Sequence, residues 1–354
     1  MQLDEYRTLG RSGLRVSPLA LGTMPFGDPS WGSDAETSSG IIARYLDAGG
    51  NFIDTANGYS EGESERIIGV YLAKHPGLRD RVVISTKFAR NMFPGDPNGG
   101  GAGRKAVLQQ VDASIERLGV EYIDLYWQHC WDQNTPIEET ISTLNDLVRV
   151  GKVRYIGLSN TPAWAVMRAG SIAEFRGWAP IIALQTEYSL LRRTVEGEVF
   201  GAARELGLGV TPYSPLASGV LSGKYSRENR RPEGSGRGKL AQAFLNEQTF
   251  AVLDALHELA GELGAMVAAV SLAWVRQRSE VISTLIGART IAQLDANLES
   301  LAVTIPEKSM TMLDELTKPD LNYPFEWLAA LAAPVQQSGA TVNGVTTPLY
   351  KRKF

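Results

Sequence analysis

The sequence predicts an α/β fold, a (β/α)8 TIM barrel in a single domain spanning 1–354, with long rim loops and a C-terminal tail. Three observations predict it. Apolar runs near 18–23, 51–55, 82–88, 122–128, 153–158, 181–187, 208–213 and 281–286 alternate with amphipathic stretches. The runs are almost unbroken by polar residues, as strands buried on both faces require. Three of them close on a titratable side chain, Asp54, Lys87 and His129, as barrel strands delivering groups to one rim would. Eight such units favour a closed barrel over an open doubly wound sheet.

The elements follow in order. Ser33-x-x-Glu36 reads as a capping box opening the first helix, and Gly49-Gly50 follows its end. Ser60-x-x-Glu63 reads as the next helix start, Thr135-Pro136-x-Glu138 combines a cap with proline at the first helical position, and Thr161-Pro162 starts another helix. The gap before the last strand leaves room for an extra helix near 246–262. The barrel takes up about 15–317. Outside the repeat lie a Gly/Pro/Asn-rich loop at 89–104, a basic loop at 218–245 and a tail at 318–354 that carries Tyr323, Phe325 and Trp327.

Composition narrows the function. With 354 residues, 44% hydrophobic content and a net charge of -4, the chain suits a globular protein with a large core and not a general polyanion binder, so no nucleic-acid partner is expected. No apolar stretch reaches the twenty or so residues a bilayer demands, and the polar N-terminus has no signal-peptide core, so no membrane partner is expected. Cys130 is the single cysteine, which excludes an intrachain disulfide and a thiolate zinc cage. A reducing cytoplasm is the simplest location. Oligomeric state is not legible.

Tyr59 lies just past the Asp54 run, in Asp54-Thr55-Ala56-Asn57-Gly58-Tyr59. Taken singly, Asp54 reads as a strand-end cap, Lys87 as a rim salt-bridge partner, Tyr59 as a loop aromatic and His129 as a structural histidine. Together they form an acid-catalysis set. A tyrosine with its ordinary pKa of about 10 is a poor acid at neutral pH, and a neighbouring ammonium lowers it by stabilising the phenolate. Lys87 is placed to do so, Asp54 to hold Lys87 charged, and His129 to orient a carbonyl oxygen. No side chain donates hydride, so carbonyl reduction would require a nicotinamide. His75 and His257 have no such company and read as structural.

On these residues, and on Gly50-Asn51-Phe52-Ile53-Asp54-Thr55-Ala56-Asn57-Gly58-Tyr59 in particular, the chain resembles the aldo-keto reductases. The resemblance covers about 6–317. It implies Tyr59 as proton donor, with Lys87, Asp54 and His129 in the roles given above. It also implies a nicotinamide on the strand ends, against Gly22, Thr23 and Met24, with Ser159, Asn160 and Gln185 at its carboxamide and Tyr213 stacked on its ring. For Ser159-Asn160 the competing reading is a helix N-cap before Pro162.

Ser214-Pro215-Leu216-Ala217-Ser218-Gly219-Val220-Leu221-Ser222-Gly223-Lys224-Tyr225 resembles the subgroup that includes the potassium-channel β-subunits, where this segment wraps the pyrophosphate and its lysine contacts it. The resemblance therefore assigns Ser214, Pro215, Leu216, Ser218 and Lys224 to the cofactor. Arg227, Arg230, Arg231, Arg237 and Lys239 then outnumber Glu228 and Glu233, which suits an anionic ligand or a solvated loop. After the eighth strand, Gly287, Arg289, Gln293 and Asn297 belong to a loop entering a helix N-terminus, a natural anion site. Arg289 is placed to grip a 2′-phosphate, so NADPH (NADP) is the expected cofactor. Ala296 replaces the family's frequent glutamate, which removes a contact to the adenine amino group. Gly101-Ala102-Gly103-Arg104-Lys105-Ala106 loosely fits a dinucleotide pattern but follows a loop and not a strand, so it reads as a decoy.

Trp31, Phe88 and Trp131 are expected on the substrate side, with Met92, Phe93 and the tail aromatics as further walls. No resident metal is expected, because too few carboxylates and histidines converge for a metal-dependent isomerase. The sequence points to a reversible NADPH-dependent reductase of an aldehyde or ketone. The alternative is a cofactor-binding regulatory subunit with little or no turnover.

Overall fold

A computed structural model describes residues 1–233 and 238–351. Eight parallel strands follow one another around a nearly closed barrel: β1 (Leu19–Gly22), β2 (Phe52–Asp54), β3 (Val83–Phe88), β4 (Ile123–Gln128), β5 (Val153–Ser159), β6 (Ile181–Glu187), β7 (Gly209–Tyr213) and β8 (Thr284–Gly287). β8 pairs with β1. It meets β7 through a parallel bridge between Val210 and Val281, with the Ile282 N–H donating to the Val210 carbonyl at 2.9 Å. Pairing of the last run with β1 starts only at Thr284, whose N–H reaches the Pro18 carbonyl at 3.0 Å, because β1 itself starts just beyond Pro18.

Alternation along each strand creates two core layers. Leu21, Ile53, Ile84 and Tyr126 face outward and pack under the surrounding helices. Ala20, Phe52, Val83, Leu125, Trp127 and Leu285 face inward and fill the barrel. The outer ring comprises α1 (Ala35–Asp47), α2 (Glu63–Ala73), α3 (Arg104–Leu118), α4 (Ile137–Arg149), α5 (Ala163–Arg176), α6 (Glu198–Leu206), α7 (Glu247–Leu263), α8 (Val267–Arg276) and α9 (Ile291–Leu298). The extra helix anticipated near 246–262 is α7.

The N-terminal segment has a task the sequence did not reveal. Arg7–Thr8 and Arg15–Val16 form a hairpin. Between them Leu9 is fully buried against the inward layer, so the hairpin plugs the bottom of the barrel.

Two expected caps are corrected. Asp34, not Ser33, caps α1 and accepts from the Thr37 N–H at 2.7 Å, while Ser33 shares a hydrogen bond with Ser38. Ser60 does not open α2. It sits at φ 46° in a tight 59–62 turn and donates to the Phe26 carbonyl, and the helix starts at Glu63. Both strings fit a capping box, but the Ser33 hydroxyl is taken by Ser38 and the Ser60 hydroxyl by a distant carbonyl. In the tail, Phe325–Trp327 and Ala333–Gln337 are short helical pieces and Thr341–Val342 pairs with Val345–Thr346. Among the described residues no single helix is long and apolar enough to cross a membrane.

Candidate active site

Alternation also builds the site. Asp54 lies two residues beyond inward-facing Phe52, Lys87 four beyond Val83, and His129 two beyond Trp127. Each therefore tops an inward column at the carboxyl end of its strand. Rim loops prolong the ladder: the Asn57 N–H donates to the Lys87 carbonyl, the His129 N–H to Phe88, and the Asn160 N–H to Gln185. Seven non-glycine residues on these loops, Ser60, Glu61, Ala89, Asn160, Ser214, Ala217 and Ser218, take positive φ. Such strain is commonly stored where a site must be held in place.

Lys87 is fully buried and uses all three of its donors. It pairs with Asp54, donates to the Thr55 carbonyl at 2.8 Å and reaches the Tyr59 hydroxyl at 3.3 Å. The Asp54 carboxylate also accepts from Ser85 Oγ at 2.6 Å and Gln185 Nε2 at 3.1 Å. Burial pulls the Lys87 ammonium down, but the Asp54 carboxylate and the Tyr59 hydroxyl outweigh it, and its pKa ends above the ordinary lysine value. His129 stands edge-on to Tyr59 with ring centroids 5.9 Å apart. Burial first, then the charges of Lys87 and Arg90, push the imidazole down to about 3, so it is neutral at physiological pH.

A cavity of about 870 Å³ opens above this cluster, lined by Tyr59 and His129 at one end and by Lys224 and Arg289 at another. Gly22, Met24, Ser159, Gln185, Ser214, Pro215, Leu216, Ser218, Gly287, Gln293 and Asn297, all assigned from sequence, line it too. Asn160 does not cap α5, which starts after Pro162. Its amide donates to the His129 carbonyl at 2.8 Å and accepts from the Tyr213 hydroxyl at 2.8 Å, tying three strand ends together. Burial raises the Tyr213 phenol to about 12, so it stays protonated. Burial, then the nearby Arg289 guanidinium, lowers the Lys224 ammonium. Two cations held close on an acidic chain mark a place for an anion.

Several assignments are corrected. Phe88 is 0% exposed and packs at a tilt against Tyr126 in the outer layer. Lys87 points inward, so its neighbour must point out. Trp131 packs edge-on against Trp164 and does not line the cavity. Thr23 is fully buried and donates to the Asp54 carbonyl at 3.0 Å, a support for the strand end and not a cavity wall. Tyr323 is 84% exposed, and Phe325 lies near Gly197, so the tail aromatics stand away from the cavity. In the basic loop, Arg227 pairs with Asp254 and Glu247, and Arg230 with Glu247. These arginines fasten the loop to α7. Arg237 lies outside the described residues. The glycine-rich decoy leads into α3, where acids already hold the backbone: the Ala102 N–H donates to Asp132 and the Arg104 N–H to Glu139.

Sequence reasoning missed Ser85, although it sits two residues before Lys87 on the same face of β3. It also missed Arg192, which lines the cavity and lies 4.9 Å from the Phe244 ring centroid.

Residues 18–318 match the model of the aldo/keto reductase family. The chain belongs to that family. This aldo-keto reductase is 38% identical, over 88% of its length and 95% of the relative's, to the uncharacterized oxidoreductase YrpG of Bacillus subtilis (strain 168). It is 32% identical to norsolorinic acid reductase B of Dothistroma septosporum, over 92% of this chain and 84% of the relative. Identity is also 32% to the putative aryl-alcohol dehydrogenase AAD14 of Saccharomyces cerevisiae, over 91% and 89% of the two chains. The reductase is thus an oxidoreductase whose buried lysine–aspartate pair underlies a tyrosine hydroxyl at the mouth of a large cavity.

Proposed function

We propose that this aldo-keto reductase reduces an aldehyde or ketone to the alcohol with NADPH, reversibly, and that Tyr59 supplies the proton. The observation that carries this reading is Lys87 Nζ at 3.3 Å from the Tyr59 hydroxyl, with Asp54 paired to the same ammonium. When bound, a reduced nicotinamide supplies the hydride that side chains lack. Tyr59 gives up its proton as negative charge grows on the substrate oxygen. Lys87 donates to the phenol oxygen and stabilises the phenolate left behind. Asp54, held by Ser85 and Gln185, keeps the lysine charged in a buried place. Neutral His129 is a poor proton source, so its ring serves to orient the carbonyl oxygen. General acid catalysis of this kind is worth about a hundredfold to ten-thousandfold.

The residues present fit a phosphorylated dinucleotide. The cavity runs from the donor cluster to the Lys224–Arg289 pair, and among the described residues Lys224 has no carboxylate partner. Arg289 precedes α9, whose cap Thr290 accepts from the Gln293 N–H at 3.2 Å, so a helix N-terminus reinforces the positive end. Relatives named for norsolorinic acid and for aryl alcohols make aromatic carbonyls the first compounds to try.

A panel of aldehydes and ketones followed by NADPH absorbance tests the reading. Oxidation of NADPH by at least one carbonyl compound is expected. NADPH binding with no oxidation by any would favour the regulatory alternative. Arg289→Ala is expected to weaken NADPH at least tenfold more than NADH. Equal weakening would contradict the 2′-phosphate assignment.

A further inference from the structure

Gln110 is a buried residue of α3. Its amide oxygen accepts twice, from Asn57 Nδ2 at 2.8 Å and from the Ala89 N–H at 3.0 Å. Those donors belong to the two segments that carry the proposed acid and its lysine. Asn57 stands two residues before Tyr59, and Ala89 two residues after Lys87. Ala89 turns the chain at φ 96°, a conformation that is costly for alanine and has to be held. Asn57 is fully buried, and its own N–H donates to the Lys87 carbonyl at 3.1 Å. A backbone N–H can only donate, so the oxygen of Gln110 must face Ala89, and Asn57 must offer its nitrogen. That orientation leaves Gln110 Nε2 and Asn57 Oδ1 buried with no hydrogen-bond partner among the described residues.

Buried amide groups left unused are a cost to the fold, and an apolar side chain at 110 would avoid it. What the amide provides, and an apolar side chain cannot, is one acceptor shared by two segments. Tyr59 follows β2 and Lys87 belongs to β3, so the chain itself does not fix their separation. We propose that Gln110 is a positioning residue for the proton transfer: its oxygen clamps the turn before Tyr59 to the end of β3 and so holds the Tyr59 hydroxyl 3.3 Å from Lys87 Nζ. For the role of Tyr59 this rests on the reductase reading above. Gln110 stands behind both segments and is not among the residues that line the cavity, so it acts through them and not on a ligand. The help an ammonium gives to a phenolate weakens with distance, and a loosened turn leaves Tyr59 a poorer acid. Arg90 Nη1, donating to the Gly58 carbonyl at 2.6 Å, is a second tie between the same segments. Loss of Gln110 therefore slackens the turn without releasing it.

Three variants test the clamp. Gln110→Met fills the same space without the amide oxygen, Gln110→Glu keeps an accepting oxygen whether or not it ionises, and Asn57→Ala removes one of the two donors. Carbon-13 NMR of the tyrosine Cζ atoms, with the Tyr59 signal assigned by its loss in Tyr59→Phe, follows ionisation of the phenol without any turnover. Tyr59 is expected to ionise about one pH unit higher in Gln110→Met and in Asn57→Ala than in wild type, with Gln110→Glu close to wild type. For a carbonyl compound that wild type reduces, kcat should fall about tenfold or more in Gln110→Met, while KM and NADPH affinity stay within about threefold. Asn57→Ala carries the test if Gln110→Met does not fold. A Tyr59 titration unchanged from wild type in these two variants would overturn the proposal, and so would Gln110→Glu shifting as far as Gln110→Met. A protein inert towards every carbonyl compound that still shows the Tyr59 shift would remove the reductase reading and leave the clamp standing.

Discussion

At the scale of single residues, Tyr59, the proposed acid, stands beside a lysine held charged and a histidine held neutral. Lys87 is locked by three acceptors, and its ammonium is held above the ordinary lysine range by Asp54 and Tyr59 against the pull of burial. His129 is held down to about 3 from an ordinary 6.5. That depression has a consequence for folding. Between those two pH values the unfolded chain binds a proton at position 129 and the folded chain does not. Stability therefore rises with pH across this window and is lost as pH falls from about 6.5 towards 3, by up to about 1.4 kcal/mol per pH unit. Urea unfolding at pH 7 and pH 4.5 should show wild type losing about 2 kcal/mol more than His129→Gln. Equal losses would mean that the imidazole is not held neutral.

At the scale of elements, the N-terminal hairpin and the rim loops divide the work. Gly10 sits at φ 58°, and a Cβ there would fall 2.2 Å from the Ile182 carbonyl oxygen, inside the barrel floor. Gly10→Ala is thus expected to destabilise the fold by about 2–4 kcal/mol in chemical denaturation, with the floor displaced from β6 and β7. Wild-type stability would show that the plug is dispensable. The strands were legible in the sequence because parallel strands buried on both faces leave unbroken apolar runs, and Asp54, Lys87 and His129 were legible because they interrupt those runs at the ends. The plug was not legible, since its strands are two residues long and its contacts come from three scattered apolar residues, Leu9, Leu14 and Val16. Helix starts were read less well. A serine three residues before a glutamate satisfies a local rule at Ser33 and Ser60, yet the neighbouring Asp34 takes the first cap and a distant carbonyl draws off the Ser60 hydroxyl. Phe88 was misplaced for a geometric reason: the residue after an inward-pointing lysine faces the helices.

At the scale of the whole molecule, an acidic protein gathers positive charge at one end of its cavity. Lys224 and Arg289 mark that end. The opposite end of the barrel is closed by the hairpin, so chemistry and stability occupy different faces of the barrel. The cavity was legible residue by residue only through the family resemblance, because its walls come from loops separated by most of the chain. Arg192 and Ser85 escaped because neither stands in a motif.

The account depends on the Tyr59 hydroxyl acting as the acid beside Lys87, and Tyr59→Phe tests it most directly. NADPH binding by the variant, followed by fluorescence titration, should stay within about threefold of wild type, while kcat for a carbonyl compound that wild type reduces should fall by about a hundredfold to ten-thousandfold. Turnover by Tyr59→Phe at the wild-type rate would contradict the account.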